Sequence, residues 1–285
     1  MDTIGKLHIV TVCTEKKFYF PYLEESCKRN GYELTVLGLD EKWKGFAWKM
    51  ELMVEYLKKL PPHDIVCFVD GYDVICTRSL STLPKDFHRI QQKTSCRLIV
   101  GHDKINSFLQ KHLGNIYFNK CKNLPLNSGT YIGKVCDVML ILENITKNMG
   151  KEKNDQTLLT QYCQSFAEEI HIDEESELFL AITHPFSEIC PMDRLQKENA
   201  PYFLHAPASG YMNKILLHLG YELDSEWICQ IKKDLHSSHY QKSMELVKDS
   251  IYKLRYIIIV IIIMIIFLIP TIIIIKRGRR RTQKS

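Results

Sequence analysis

Apolar and polar residues alternate along the first hundred positions in blocks of strand length and helix length. The apolar blocks of strand length are rich in β-branched residues and comprise Leu7–Val12 (LHIVTV), Glu33–Leu37 (ELTVL), Ile65–Val69 (IVCFV) and Arg97–Val100 (RLIV). Two stretches between them, Phe18–Asn30 and Trp48–Lys59, have the amphipathic spacing of helices, and Pro61-Pro62 ends the second. This βαβαβ order predicts an α/β fold with a mostly parallel, doubly wound sheet and helices on both faces.

The pattern continues beyond residue 130 in shorter pieces. The elements predicted there are the helices Val135–Thr146 and Gln156–Ala167 and the strands Ile170–Ile172 and Tyr202–Leu204. Ligands of open α/β sheets bind beyond the carboxyl ends of the strands. Strand ends therefore direct attention to Val12–Glu15, Asp70–Asp73 and His205.

A long apolar segment lies near the C-terminus. Every residue from Ile257 to Ile275 is apolar except Thr271, and a helix of that length covers roughly 28 Å of hydrocarbon. We predict a single-pass membrane anchor, so a lipid membrane is one expected partner. The predicted organisation is a catalytic domain at 1–223, a polar helical stalk at 224–256, a transmembrane helix at 257–275 and a basic tail at 276–285.

The charge of the chain is concentrated in that tail. The formal net charge is +5, and six basic residues occupy the last ten positions: Lys276, Arg277, Arg279, Arg280, Arg281 and Lys284. The rest of the chain is near neutral, so we expect no nucleic-acid partner.

The membrane topology has two opposing indications. The apolar run near the N-terminus is too short for a secretory signal and has no small-residue cleavage site, so we expect no such signal. With a span close to the C-terminus, this expectation favours a tail anchor with a cytosolic enzyme. The basic tail favours a cytosolic tail and a lumenal enzyme by the positive-inside rule. We favour an endomembrane location with a lumenal domain, and the sequon Asn144-Ile145-Thr146 offers a test.

Ten cysteines are scattered along the chain without a C-x-x-C pair. This spacing suggests neither a zinc ribbon nor a thioredoxin-type site. Cys13 and Cys67 lie in strand-like runs and are predicted to be small buried hydrophobic residues. The redox compartment stays open at this point.

The segment IVCFVDGYDVI carries the clearest chemical signal. A buried strand leads to Asp70 and then Asp73, on a tight turn that Gly71 permits. Two carboxylates three positions apart can face one point and hold a divalent ion, which neutralises a nucleotide diphosphate and stabilises it as a leaving group. The alternative is that Asp70 caps the turn and Asp73 is solvated.

Three further polar segments complete the candidate site. LNSGTYIG (Leu126–Gly133) is predicted to be a polar turn between apolar runs, and Asn154-Asp155-Gln156 opens a helix; both offer hydrogen bonds to sugar hydroxyls, and both also fit an ordinary turn or N-cap. YFLHAP ends a short strand at His205, which becomes a third metal ligand if the two carboxylates bind an ion.

These motifs, in this order, resemble the glycosyltransferase domain of the procollagen lysyl hydroxylases and, more distantly, the collagen galactosyltransferases. The resemblance covers roughly Leu7 to Leu219. Its landmarks are the strand end at Val10–Thr14, LGLDEKWKG at Leu37–Gly45, Trp48-Lys49, FVDGYDV, LNSGTYIG, NDQ, HID followed by ELF, and FLHAP. Several short motifs in one order are more specific than any one of them.

The resemblance implies a GT-A fold, Mn²⁺ and a UDP-sugar donor that gives glucose or galactose to a hydroxyl acceptor. The family suggests hydroxylysine or galactosyl-hydroxylysine of collagen-like chains as the acceptor, on a protein or glycan. It implies that the metal ligands are Asp70, Asp73 and His205. It assigns uridine and ribose to Val12, Thr14 and Tyr72. It also assigns donor binding, on the side of the sugar, to Trp43, Asn127, Ser128 and Gly129. It places on the catalytic, sugar-facing side Lys49, Asn154 and Asp155.

The chain departs from the family after His205 and before Gln156. Ala206-Pro207-Ala208 stands where the family has glycines, and a reduced acidic run precedes Gln156, which leaves the donor and acceptor preference open. His171-Ile172-Asp173 matches an iron-site motif of the hydroxylases by letter, but it lies inside the transferase segment. We therefore expect a stand-alone transferase without hydroxylase activity.

Two other functions remain as alternatives. A haloacid-dehalogenase-like phosphatase also uses an Asp after a buried strand, although its second Asp follows two positions later and here Asp73 follows three positions after Asp70. A membrane-tethered module that binds sugar nucleotides without turnover would have the same fold.

Overall fold

The computed structural model describes residues 5–103, 120–150, 152, 154–182, 192–195, 199–207 and 211–234. The chain divides into a compact unit, Met1–Ile231, and a second unit, Lys232–Ser285. No helix of the described residues is both long and apolar enough to cross a membrane. The predicted span at 257–275 and the basic tail lie outside the described residues, as does most of the predicted stalk, of which residues 225–234 are helical.

The described residues of the compact unit include nine strands and, before residue 219, seven α-helices. The strands are β1 (Leu7–Val12), β2 (Leu34–Leu37), β3 (Ile65–Val69), β4 (Val74–Cys76), β5 (Leu98–His102), β6 (Leu126–Lys134), β7 (Ile170–Ile172), β8 (Phe179–Ala181) and β9 (Phe203–His205). The helices are α1 (Phe20–Arg29), α2 (Phe46–Leu57), α3 (Leu83–Thr94), α4 (Val135–Asn148), α5 (Asp155–Ser165), α6 (Met192–Leu195) and α7 (Asn213–His218). The predicted strands Leu7–Val12, Ile65–Val69 and Ile170–Ile172 are confirmed residue for residue.

The main sheet is buried on both faces. Side chains of a strand point alternately to opposite faces, so Val10 and Val12 of β1 pack on one side while Leu7 and Ile9 pack on the other. The first side is covered by α2, α4 and α5, and the second by α1, α3 and a smaller sheet. The prediction of an α/β fold with helices on both faces is confirmed.

The main sheet is mixed, so the prediction of a mostly parallel sheet is wrong in its central part. Its order is β2-β1-β3-β6-β5-β7, in which β1 runs parallel to β2 and β3, and β5 runs parallel to β7. The central strand β6 is antiparallel to both β3 and β5.

The segment Leu126–Gly133 lies in this central strand, so its prediction as a polar turn is also wrong. Asn and Gly are uncommon in strands, which made the segment look like a turn. Asn127 and Ser128 are nevertheless buried. They can occupy the strand because Asn127 donates a hydrogen bond to Asp103 and the Ser128 N–H donates one to Gln156.

A second sheet of three short strands has the order β4-β9-β8. β4 is antiparallel to β9, with Val74 opposite His205, and β8 is parallel to β9. The backbone N–H of Ala206 donates to the carbonyl oxygen of Asp73 at 2.8 Å. This pairing fixes the end of β9 against the start of β4.

The carboxylate of Asp173, in the segment that resembles an iron-site motif, has a structural contact set. Its two oxygens accept hydrogen bonds from the backbone N–H groups of Glu177, Leu178 and Phe179, each at 2.8 Å. Asp173 therefore organises the turn between β7 and β8.

Among the described residues, the cysteines form one disulfide and several free thiols. Cys121 and Cys163 are bonded and connect the segment before β6 to α5. Cys13 and Cys67 are fully buried, as predicted. Burial raises the pKa of Cys13 to about 11 and that of Cys76 to about 12, so both remain protonated, unreactive thiols at neutral pH.

Candidate active site

Three strands, two of them joined by a short loop, bring Asp70, Asp73 and His205 together. Asp70 directly follows β3, and its backbone N–H donates to the carbonyl oxygen of Gly129 at 2.8 Å. Asp73 directly precedes β4, and His205 is the last residue of β9. One ligand atom from each of the three side chains lies within 4.8 Å of the others. They form the one group of this kind among the residues that the structure describes.

The imidazole of His205 is arranged as a metal ligand would be. Its Nδ1 lies 3.1 Å from Oδ1 of Asn127, an atom that can only accept, so Nδ1 carries the proton of a neutral ring. Its Nε2 lies 3.2 Å from a carboxylate oxygen of Asp73. In the neutral ring the Nε2 lone pair faces this carboxylate, an arrangement that is repulsive unless a proton or a metal cation lies between the two atoms.

The electrostatic environment of His205 also favours a cation. Burial by itself lowers the pKa of His205, but the carboxylates of Asp73, Asp70 and Asp103 outweigh burial and raise the pKa above its ordinary value. The same negative field attracts a divalent ion. Two carboxylates and one imidazole form a ligand set that Mn²⁺ accepts.

Gly129 leaves space beside these ligands. A Cβ atom at this position would lie 2.5 Å from Cε1 of His205 and 2.6 Å from Oδ2 of Asp70. Contacts this short are not tolerated, so only glycine permits the approach of β6 to both side chains. The residues present therefore fit a bound divalent ion.

Lys49 connects the carboxylate cluster to α5. Its Nζ lies 2.7 Å from Asp70 Oδ1 and 2.7 Å from Asp155 Oδ2, and its side chain is only 8% exposed. Burial lowers the pKa of Lys49, but Asp70 and Asp155 outweigh burial and raise the pKa above its ordinary value. The ammonium group is therefore charged. It holds the Asp70 carboxylate from the side of α2.

Thr14 and Tyr72, predicted on the nucleotide side, are in contact. The Tyr72 hydroxyl accepts a hydrogen bond from the backbone N–H of Thr14 at 3.1 Å, and its ring packs edge-on against Phe18. Val12, the last residue of β1, is buried two positions before Thr14. Tyr72 also lies between Asp70 and Asp73 in the sequence, which places this contact next to the carboxylate cluster.

The remaining predicted residues have different surroundings. The Ser128 N–H donates to Gln156 Oε1 at 2.8 Å, which connects β6 to the start of α5. Asn154 is exposed and caps α5, because its Oδ1 accepts the Thr157 N–H at 2.9 Å. Asp155 is buried against Lys49.

Trp43 is joined to the cluster through ring packing rather than through hydrogen bonds. Its side chain is 40% exposed, and its ring centroid lies 5.4 Å from that of Phe46. Phe46 in turn lies 5.6 Å from Lys49 Nζ. The exposed indole therefore borders the cluster on the α2 side.

The sequence of residues 3–203, more than half of the chain, matches the protein-family model of the PLOD GT domain. The chain belongs to the PLOD GT-domain family. The family predicted from the order of the motifs is thus confirmed.

Curated relatives of this PLOD GT-domain protein carry the same segment within longer chains. A procollagen-lysine,2-oxoglutarate 5-dioxygenase of Drosophila melanogaster is 30% identical over 48% of this chain and 20% of its own length. A multifunctional procollagen lysine hydroxylase and glycosyltransferase of Caenorhabditis elegans is 26% identical over 61% of this chain and 25% of its own length. Procollagen-lysine,2-oxoglutarate 5-dioxygenase 2 of Homo sapiens is 26% identical over 65% of this chain and 26% of its own length. The chain thus spans about a quarter or less of these relatives.

Two solved structures resemble the PLOD GT-domain protein more distantly. A glycosyltransferase involved in the glycosylation of the major capsid of PBCV-1 has a TM-score of 0.47 and 10% identity, over 71% of this chain and 95% of that one. Mouse xyloside xylosyltransferase 1 has a TM-score of 0.43 and 12% identity, over 72% of this chain and 99% of that one.

Sequence reasoning missed one residue of the site of this PLOD GT-domain protein, Asp103, and named Gln156 only as part of the segment Asn154-Asp155-Gln156. Asp103 directly follows β5, and its Oδ1 accepts a hydrogen bond from Asn127 Nδ2 at 2.7 Å. Gln156 hydrogen-bonds to β6 through both ends of its amide, at Ser128 N–H and at the Leu126 carbonyl. Asp103 satisfies the same strand-end rule that identified Asp70, so that rule applied to β5 would have found it.

Proposed function

We propose that this chain is a metal-dependent glycosyltransferase that moves glucose or galactose from a UDP-sugar to a hydroxyl acceptor. The observation that carries the proposal is the cluster of Asp70, Asp73 and His205 at the carboxyl edge of β3, beside Thr14 and Tyr72. Following the family, the proposed acceptor is hydroxylysine or galactosyl-hydroxylysine of a collagen-like chain. The chain's membership of the PLOD GT-domain family supports the proposal.

The proposed metal ligands are Asp70, Asp73 and His205, and the proposed ion is Mn²⁺. When bound, the ion supplies positive charge to the diphosphate, which lowers the cost of breaking the glycosidic bond. Around it, Lys49 holds the Asp70 carboxylate in place with a contact of 2.7 Å. Asn127 orients His205 through Nδ1. These fixed partners reduce the reorganisation that would otherwise oppose the reaction.

The residues on the two sides of the Asp70, Asp73 and His205 cluster are proposed to hold the nucleotide and the sugar. Val12, Thr14 and Tyr72 are proposed to hold uridine and ribose, because they lie together at the carboxyl end of β1. Ligands of open α/β sheets bind at the carboxyl ends of the strands. Residues from the other side of the cluster are proposed to face the transferred sugar and the acceptor: Trp43, Lys49, Asn127, Ser128, Gly129, Asn154 and Asp155.

Turnover of defined donors tests this proposal. The full chain with Mn²⁺ should release UDP from UDP-glucose or UDP-galactose, and release should increase when a hydroxylysine-containing collagen peptide is added. Chelation with EDTA should abolish release, and Mn²⁺ should restore it. UDP release and transferred sugar on the peptide are measured together.

Other outcomes of this assay contradict the transferase. Release of inorganic phosphate from phosphomonoesters without sugar transfer would support a phosphatase. Binding of UDP without turnover of any donor would support a non-catalytic module. Activity that persists after thorough chelation would exclude the metal mechanism.

We also propose that the chain is held in an endomembrane by the segment 257–275, with the catalytic domain in the lumen. The disulfide between Cys121 and Cys163 supports the lumenal side, because disulfides persist in oxidising compartments and are rare in the cytosol. The basic tail would then be cytosolic.

The sequon at Asn144 provides the test of topology. Asn144 lies exposed on α4. If the domain is lumenal, oligosaccharyltransferase can reach this side chain. We expect a mass shift that a glycosidase removes and that Asn144→Gln abolishes. Digestion of the catalytic domain by protease added to sealed microsomes would show instead that the domain is cytosolic.

A further inference from the structure

Asn127 lies between a carboxylate and the proposed metal ligand His205. Its Nδ2 donates to Asp103 Oδ1 at 2.7 Å, and its Oδ1 lies 3.1 Å from His205 Nδ1. The same Oδ1 accepts the backbone N–H of Gly129 at 2.8 Å. Asp103, Asn127 and His205 therefore form one chain of hydrogen bonds that ends at the carboxylate cluster.

The orientation of the Asn127 amide is determined by its neighbours. A backbone N–H can only donate, so the amide atom that faces Gly129 must be the oxygen. The NH₂ group then faces Asp103, whose carboxylate accepts. Both neighbours favour the same orientation, and the opposite one would place the NH₂ group against the Gly129 N–H and the carbonyl oxygen against the carboxylate.

This orientation decides which nitrogen of His205 carries the proton. Because Asn127 presents an oxygen, Nδ1 of the neutral ring is protonated and Nε2 keeps its lone pair. That lone pair is directed toward Asp73, at 3.2 Å. A reversed amide would require Nδ1 to accept, the proton would move to Nε2, and the ring could not bind an ion through that atom.

The fold brings Asp103 to Asn127 by an irregularity in the sheet. The pairing of β5 with β6 shifts between Val100 and Gly101, so that Gly101 lies opposite Asn127. The N–H of Asp103 then donates to the carbonyl oxygen of Pro125 at 3.0 Å. Asp103 is thereby held at the position that Asn127 Nδ2 reaches.

We infer that Asp103 is a positioning residue for the metal centre, which acts through Asn127 to hold His205 in the tautomer that binds the ion. The inference rests on the proposed function, because it assumes the metal centre at Asp70, Asp73 and His205. Asp103 itself does not touch the ion or the substrate in this role. Hydrogen-bond partners behind metal-binding histidines typically change metal affinity by about 10- to 100-fold.

The affinity for Mn²⁺ alone, without nucleotide or sugar, tests this role. Free Mn²⁺ is measured by electron paramagnetic resonance in titrations of the full chain. Asp103→Ala removes the acceptor, and we expect its Mn²⁺ dissociation constant to rise about 10- to 100-fold. Asp103→Asn keeps an oxygen that accepts from Asn127, so its dissociation constant should stay within about threefold of the parent.

Two further variants make the comparison specific. Asp103→Val also lacks an acceptor but fills the volume of the aspartate, so it replaces Asp103→Ala if that variant does not fold. Asp64→Ala removes a comparable carboxylate at the other end of β3, where Asp64 accepts from Lys6 N–H and His8. It should leave Mn²⁺ affinity unchanged even if it lowers the thermal stability of the metal-free protein.

The results separate this inference from the proposed function. Parent-like Mn²⁺ affinity in Asp103→Ala or Asp103→Val would overturn the role of Asp103, and so would an equal loss in Asp103→Asn. If the parent binds no Mn²⁺ in a manner that depends on Asp70, the metal centre itself fails. If the parent binds Mn²⁺ and the Asp103 series behaves as expected but no UDP-sugar is turned over, only the proposed transferase activity fails.

Discussion

Asp70→Asn and Asp73→Asn are each expected to lower the turnover of UDP-sugar by about a hundredfold or more. Each substitution removes one negative charge from the proposed ion and nearly preserves side-chain shape. An ion that stabilises a departing diphosphate contributes several kcal/mol to the transition state, and each 1.4 kcal/mol is about tenfold in rate. Turnover is measured at saturating donor and Mn²⁺.

The control for these variants is Asp64, at the other end of β3. Asp64 precedes β3 and Asp70 follows it, so Asp64→Asn removes a carboxylate from the opposite end of the sheet. Its turnover should remain near that of the parent. Added Mn²⁺ should restore the chelated parent but neither site variant. Near-parent turnover in both Asp70→Asn and Asp73→Asn would refute the metal mechanism.

Lys49→Met is expected to destabilise the domain by about 3–5 kcal/mol. Met fills a similar volume but removes the ammonium group that pairs with Asp155 and Asp70 at 2.7 Å each. The Asp155 side chain is only 9% exposed, so its carboxylate would be buried without a counter-charge. The free energy of unfolding is measured by chemical denaturation in the presence of a chelator, so that metal binding does not contribute.

A second substitution distinguishes lost charge pairing from lost packing. In Lys49→Met with Asp155→Asn no buried carboxylate remains at position 155, so about half or more of the lost stability should return. Lys58→Met breaks an exposed pair with Glu55 at 2.7 Å and should leave the free energy of unfolding close to that of the parent. A double variant as unstable as Lys49→Met alone would show that the buried charge is not the cause.

Local sequence patterns predicted those strands that form distinct apolar runs. β1 and β3 were predicted to the residue, because a short apolar run bounded by polar residues depends only on neighbouring positions. β7, which has three residues, was predicted to the residue, but β4, which also has three residues, was not predicted. β8 is equally short, and it too was not predicted.

The central strand β6 shows where the pattern misleads. Asn127, Ser128 and Gly129 have low strand propensity, and propensity alone predicts a turn. Asn127 is held by Asp103 and Ser128 by Gln156, so these tertiary hydrogen bonds override the local preference. The direction of β6 then makes the sheet mixed.

The sequence by itself determined the family, the strand that delivers Asp70, and the turn that places Asp73 close behind it. Those features depend on residues only a few positions apart. Only the tertiary structure decided that β4 pairs with β9, which brings His205 to Asp73, and that Asp103 reaches His205 through Asn127. Contacts between segments far apart in the chain leave no periodic signal in it, because they depend on where the backbone has folded.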